Sequence, residues 1–201
     1  MGAGVVVAGG RSTRFGDRDK AVADLAGTPM IRRVVDRLTL VVDELVVNCR
    51  RDQGDAIEAA LDGCGITPKF AFDETPDEGP MAGIGRGLRA TESEYGVVVA
   101  CDMPFVDPSF VSYLFDRAEG HDAAVPRPDE WFQTTQAVYR TDAMESACDR
   151  ALERGEHKIV EALFDLDYVV VDREEIANHT TMETFENLNT REEFEAAAER
   201  F

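Results

Sequence analysis

Lysine is scarce. Of the 21 basic residues in this 201-residue chain only Lys20, Lys69 and Lys158 are lysine, and they face 40 Asp and Glu for a formal net charge of -19. A surface that negative repels phosphate backbones, which excludes nucleic acid as a partner class. It also gives no attraction to anionic membrane surfaces. No apolar run approaches the roughly 18 residues that a spanning helix needs. Histidine (His121, His157, His179) and cysteine (Cys49, Cys64, Cys101, Cys148) are few and scattered. Without a C-x-x-C pair or histidines at ligand spacing, a zinc site and a disulfide framework are both disfavoured. The chain opens directly on the strand-like Gly4-Val5-Val6-Val7-Ala8. It shows neither a basic n-region nor an apolar h-region, and Val6 stands where a myristoylation signal wants Ser or Thr. The expectation is a cytoplasmic protein.

What is present is the material of a globular domain. The hydrophobic share is 44%, and at about 150 residues per domain the length predicts one domain over residues 1–201. Short β-branched runs alternate with helical patterns, the signature of βαβ units. Strands are predicted at Gly4–Ala8, Glu44–Cys49, Thr67–Phe72, Tyr95–Ala100, Ala123–Pro126, Gln136–Tyr139 and Asp167–Asp172. Helices are predicted at Pro29–Leu38, Asp52–Leu61, Met81–Ala90, Pro108–Ala118, Thr141–Glu153 and Arg191–Arg200. Thr190 and Glu193 are spaced for a capping box on the last of these. The short interval between Ala123–Pro126 and Gln136–Tyr139 breaks the βα rhythm and predicts one antiparallel strand. The fold class is therefore α/β, a doubly wound and mostly parallel sheet with helices on both faces. In such sheets ligands bind beyond the carboxyl ends of the strands.

Two segments at those ends carry chemistry. After the first strand comes Ala8-Gly9-Gly10-Arg11-Ser12-Thr13-Arg14-Phe15-Gly16-Asp17-Arg18-Asp19-Lys20. Paired glycines let backbone N–H groups approach an anion, and Arg14 and Lys20 can neutralise phosphate oxygens, Arg as a fork and Lys as a point charge. The loop is not a Walker A motif, because Asp19 rather than glycine precedes Lys20. After the fourth predicted strand comes Cys101-Asp102-Met103-Pro104. An ionised carboxylate just beyond a buried strand needs a charged partner. Mg²⁺, which takes one or two carboxylates plus substrate phosphates, suits Asp102. Cys101 beside it reads as a small buried filler.

The loop resembles the A-G-G-x-S-x-R-x-G-x-x-K signature of the nucleotidyltransferases. Sugar-phosphate members carry Pro where Asp19 stands, which points away from sugar substrates. With Asp73-Glu74-Thr75-Pro76-Asp77-Glu78-Gly79-Pro80-Met81-Ala82-Gly83, Cys101-Asp102-Met103-Pro104 and Phe185-Glu186-Asn187-Leu188-Asn189-Thr190, it resembles the molybdenum cofactor guanylyltransferase family over nearly the whole chain. The resemblance implies a Rossmann-like nucleotidyltransferase fold. It also implies transfer of GMP from GTP to molybdopterin, or its molybdenum-loaded form, with release of pyrophosphate. It places the nucleotide against Val7, Ala8, Gly9, Gly10, Lys20, Asn48, Asp73 and Asp102, with Mg²⁺ on Asp102 and the chemistry on Arg14, Lys20 and Asp102. Asn189 is either a polar contact to the second substrate or a turn former before the helix cap. Transient contacts with cofactor-synthesis or molybdoenzyme proteins are implied by the family alone. Alternatives are transfer of a guanylyl group to another phosphorylated acceptor such as a corrinoid precursor, cytidylyl transfer to molybdopterin, or a nucleotide-binding regulator without chemistry. Related cytidylyltransferases show A-A-G and D-Q-P where this chain has Ala8-Gly9-Gly10 and Asp102-Met103-Pro104. Gly9 is accordingly expected to leave room for a purine edge. Finally, an acidic and lysine-poor surface is the pattern expected of adaptation to a salty cytoplasm, where screening removes self-repulsion.

Overall fold

The structure, a computed structural model, describes residues 2–10, 19–75 and 78–201. In chain order the elements are β1 (Gly2–Val7), β2 (Asp24–Leu25), β3 (Thr28–Pro29), α1 (Met30–Leu38), β4 (Val42–Cys49), α2 (Gly54–Ala60), β5 (Lys69–Phe72), α3 (Pro80–Arg89), β6 (Tyr95–Ala100) and α4 (Pro108–Ala118). They continue with β7 (Ala123–Arg127), β8 (Gln136–Arg140), α5 (Thr141–Glu153), α6 (Ile159–Leu163), β9 (Tyr168–Asp172), α7 (Arg173–His179) and α8 (Arg191–Ala198).

Seven strands form one sheet in the order β5-β4-β1-β6-β8-β7-β9. β1 lies between β4 and β6 and is parallel to both, with Val5 level with Val46 and Val98. β8 runs antiparallel to β6 and to β7; it is the antiparallel strand that the sequence predicts. The sheet is buried on both faces, so its central strands read as unbroken valine runs rather than alternating ones. Alternate residues still go to opposite sides. Val6, Val47, Val97 and Val99 pack with Val34, Leu38, Phe110 and Leu114 of α1 and α4. Val5, Val46 and Val98 pack with Ile84 and Leu88 of α3, Cys148 of α5 and Leu163 of α6. Among the described residues no helix is long and apolar enough to cross a membrane.

Three short elements escape the sequence reading. The ribbon β2–β3 has two residues a side, too short for any periodicity. The helices α6 and α7 span five and seven residues. The ribbon nonetheless has a structural role: Leu25 is fully buried with Met30, Phe105, Leu188 and Ala197 in a small separate core. This core ties the chain after β6 to the C-terminal segment. Leu188 N–H donates to the Asp102 carbonyl at 3.0 Å, and Thr184 Oγ1 accepts from Gln136 Nε2 and from the Asp107 amide. The segment before α8 is thereby held along the carboxyl end of β6 and the adjacent amino end of the antiparallel β8. Thr190 and Glu193 form the expected capping box there.

Candidate functional site

The carboxyl ends of β1, β4, β5 and β6 converge, and the segments that follow them build one site. From β1, the chain leaves the sheet at Ala8-Gly9-Gly10. Ala8 N–H still donates to the Asn48 carbonyl at 2.8 Å. The loop's start is then held from outside by two side chains of the segment after β4. Arg50 Nη1 donates to the carbonyls of Gly9 and Gly10, both at 3.1 Å. Gln53, 2% exposed, donates to the Ala8 carbonyl at 3.1 Å and to the Asp19 carboxylate. With its carbonyls drawn toward Arg50, the loop is fixed at Gly9 and Gly10 before any ligand arrives.

Lys20 lies where the loop rejoins the body. Its ammonium is 2.7 Å from Asp102 Oδ2 and 3.1 Å from Asn189 Oδ1, so residues from three distant parts of the chain meet on one charge. The lysine is buried, at 9% exposure, a cost that the carboxylate partner offsets. Asp102 has a second oxygen, Oδ1, that is buried and has no hydrogen-bond partner among the described residues. An orphaned carboxylate oxygen beside a lysine-paired one fits a hard cation that takes few protein ligands. Among the described residues no three His, Cys, Asp or Glu side chains converge on a common point, so protein groups alone make no cage. Cys101, next door, has its thiol pushed up by burial and by the Asp102 charge. It is no nucleophile at neutral pH.

The other half of the site is a cavity of about 410 Å³ between the loop and the amino end of α3. Val7, Gly9, Gly10, Asn48 and Asp73 form one wall, and Glu78, Gly79, Pro80 and Arg86 the other. Asn48, 1% exposed, is locked by donating to the Ala71 carbonyl at 3.0 Å and to Asp73 Oδ1 at 2.8 Å. α3 can approach this closely because a Cβ at Gly83 would sit 2.2 Å from Asn48 Oδ1. A Cβ at Gly9 would meet Asp73 Oδ2 at 2.5 Å. The neighbour that demands glycine there is thus a carboxylate of the protein itself.

The structure brings together Val7, Ala8, Gly9, Gly10, Lys20, Asn48, Asp73, Asp102 and Asn189 at the carboxyl end of the parallel strands. Arg14, the remaining residue singled out from the sequence, lies outside the described residues. The sequence reading missed Arg50, Gln53, Glu78 and Arg86. Glu78 belongs to a quoted motif and could have been weighed; the arginines and the glutamine carry no spacing signal, and only the fold turns them inward.

Residues 4–172 match the family described as the MobA-like NTP transferase domain. A Natronomonas pharaonis protein named "Probable molybdenum cofactor guanylyltransferase" is 53% identical over 197 residues, 98% of this chain and 96% of that one. A protein of the same name from Haloferax mediterranei is 38% identical, over 98% of this chain and 93% of its own. Among solved structures, molybdopterin-guanine dinucleotide biosynthesis protein A from Archaeoglobus fulgidus superposes with a TM-score of 0.81 at 27% identity. That alignment covers 98% of this chain and 97% of the other.

Proposed function

The chain belongs to the MobA-like NTP transferase family, and from that premise we propose that it transfers GMP from GTP to molybdopterin with release of pyrophosphate. The observation that carries the reading is the convergence of Lys20, Asp102 and Asn189 beside the Gly9–Gly10 loop and its adjoining cavity. The triphosphate lies against the loop, and the guanosine enters the cavity near Asn48 and Asp73. The attacking group is the terminal phosphate of molybdopterin, whose oxygen is already ionised, so no general base is needed. Its bond to the α-phosphorus forms as the bond from that phosphorus to the bridging oxygen breaks, and pyrophosphate leaves with the electron pair.

The protein contributes position and charge. Lys20 supplies a fixed cation between the loop and Asp102; Arg14, outside the described residues, would add a second positive charge for the phosphates. Asp102 would hold Mg²⁺ through Oδ1, which has no partner among the described residues, and the bound metal would neutralise phosphate charge as it develops. Asn189, hydrogen-bonded to Lys20 and carried on the segment that Leu188 anchors, faces the acceptor side. Mass spectrometry of molybdopterin incubated with the enzyme, Mg²⁺ and either GTP or CTP tests this. The expected product is the guanylyl adduct; a cytidylyl adduct, or unaltered molybdopterin beside a nucleotide-bound protein, would overturn it.

A further inference from the structure

The cavity wall carries a cation that the transfer of the nucleotidyl group does not use. Arg86 is on α3, and its side chain is 17% exposed. Its Nη2 donates to Glu78. Its Nη1 lies 3.9 Å from Asp73 Oδ1, beyond hydrogen-bond reach. That nitrogen is buried and has no hydrogen-bond partner among the described residues. The guanidinium is thus held on one side and left with donors to spare on the other, at the wall of a cavity shared with Asn48 and Asp73. A buried donor without an acceptor is costly, and a guanidinium cannot escape that cost by losing its proton.

We propose that Arg86 selects the base, its Nη1 donating to the O6/N7 edge of guanine. This rests on the GTP reading above and adds to it the residue that enforces it. Guanine presents two acceptors, O6 and N7, on one edge and is matched by arginine; adenine places an amino donor where O6 would be. That donor would face a group made only of donors. Cytosine likewise offers an amino group. Glu78 holds the fork in orientation. Asp73, itself tied to Asn48, keeps a counter-charge close without consuming the hydrogen bond.

Calorimetric titration of GTP, ITP, ATP and inorganic tripolyphosphate into wild type, Arg86→Met and Arg86→Lys tests the proposal. Met keeps the length without donors, and Lys keeps the charge without the fork. In Arg86→Met, GTP and ITP, which share the O6/N7 edge, should weaken about tenfold to a hundredfold. ATP should be unchanged or tighter, and tripolyphosphate unchanged, showing the phosphate loop intact. Arg86→Lys should recover only part of the preference for GTP over ATP. An equal loss for all three nucleotides, or full recovery with Lys, would mean that Arg86 only neutralises Asp73 and Glu78. Undiminished GTP binding in Arg86→Met would also overturn the proposal. A wild type that does not prefer GTP would instead defeat the GTP reading itself, so the two failures are distinct.

Discussion

Asp102 has two unequal oxygens, one accepting from Lys20 at 2.7 Å and one buried without a partner among the described residues. Asp102→Asn preserves shape and an acceptor for Lys20 while removing the charge that would hold Mg²⁺. Turnover should fall on the order of 100-fold or more, with circular dichroism showing the fold retained; unchanged turnover would remove Asp102 from the metal site. Gly9 and Gly10 make a contrasting pair. A Cβ at Gly9 would stand 2.5 Å from Asp73 Oδ2, whereas one at Gly10 meets nothing within 4 Å. Gly9→Ala must displace Asp73 and strain its bond from Asn48, a cost of about 1 kcal/mol. Gly10→Ala should be neutral or stabilising by about 0.4–1 kcal/mol through the unfolded chain. Thermal unfolding of the ligand-free variants checks both. Equal effects would show that Asp73 does not set the demand for glycine. The sequence alone suggested room for a purine edge at Gly9. The side-chain partner only becomes visible once β5 is laid beside β4.

At the opposite end of the sheet one carboxylate joins elements that share no catalytic role. Glu44 of β4 accepts from Lys69 of β5, from Ser93 Oγ and from the amides of Glu92 and Ser93. Burial would raise its pKa, but the hydrogen bonds from Lys69, Ser93 and the Glu92 amide reverse this and hold it below the ordinary glutamate value. A group whose pKa is lower folded than unfolded contributes stability above its unfolded pKa, and that stability is lost as pH falls through the folded one. Glu44→Gln should therefore melt lower than wild type at pH 7, with the gap closing toward pH 3 and turnover unaffected. A gap independent of pH would show that the charge is not what Glu44 contributes. Elements of this sheet were largely legible in the sequence: β6, α4 and α5 run over the predicted residues, because buried valine runs and N-terminal Asp-Pro are strong local signals. β5 and β9 start one or two residues later than predicted, and β1 starts two earlier and ends one earlier, because pairing rather than composition decides strand ends. Predicted Asp52–Leu61 resolves into a 3₁₀ turn at Arg51–Gln53 and then α2; the turn aims Gln53 back at the loop. The ribbon β2–β3 and helices α6 and α7 were not legible, since two to seven residues carry no period and are held by partners distant in sequence. For the same reason Asn189 could be named but not placed: its position depends on Leu188 reaching Asp102.

At the scale of the molecule, charge dominates. With a net charge of -19, carboxylates exceed the cations available to pair with them. Lys20 and much of Arg86 are spent inside the site. Exposed networks such as Arg89 with Glu145 and Asp149, or Arg154 with Glu156 and Asp165, neutralise only part of the excess. Salt weakens such exposed pairs, each worth about 0–1 kcal/mol, but it also screens the wider repulsion, whose range shrinks from about 30 Å at 0.01 M to about 3 Å at 1 M. The second effect involves more charges and should win. The unfolding midpoint is expected to rise from 0.05 to 3 M (roughly one to two orders of magnitude in salt) of potassium chloride; a flat or falling series would show that the acidic surface is no adaptation to salt. The central claim, that the carboxyl end of this sheet performs guanylyl transfer, is tested most directly by pyrophosphate release from Mg²⁺ and GTP with and without molybdopterin. The account predicts release that requires molybdopterin and is much slower with CTP or ATP. Release that ignores the acceptor, that is faster with CTP, or that never occurs although GTP binds would contradict it.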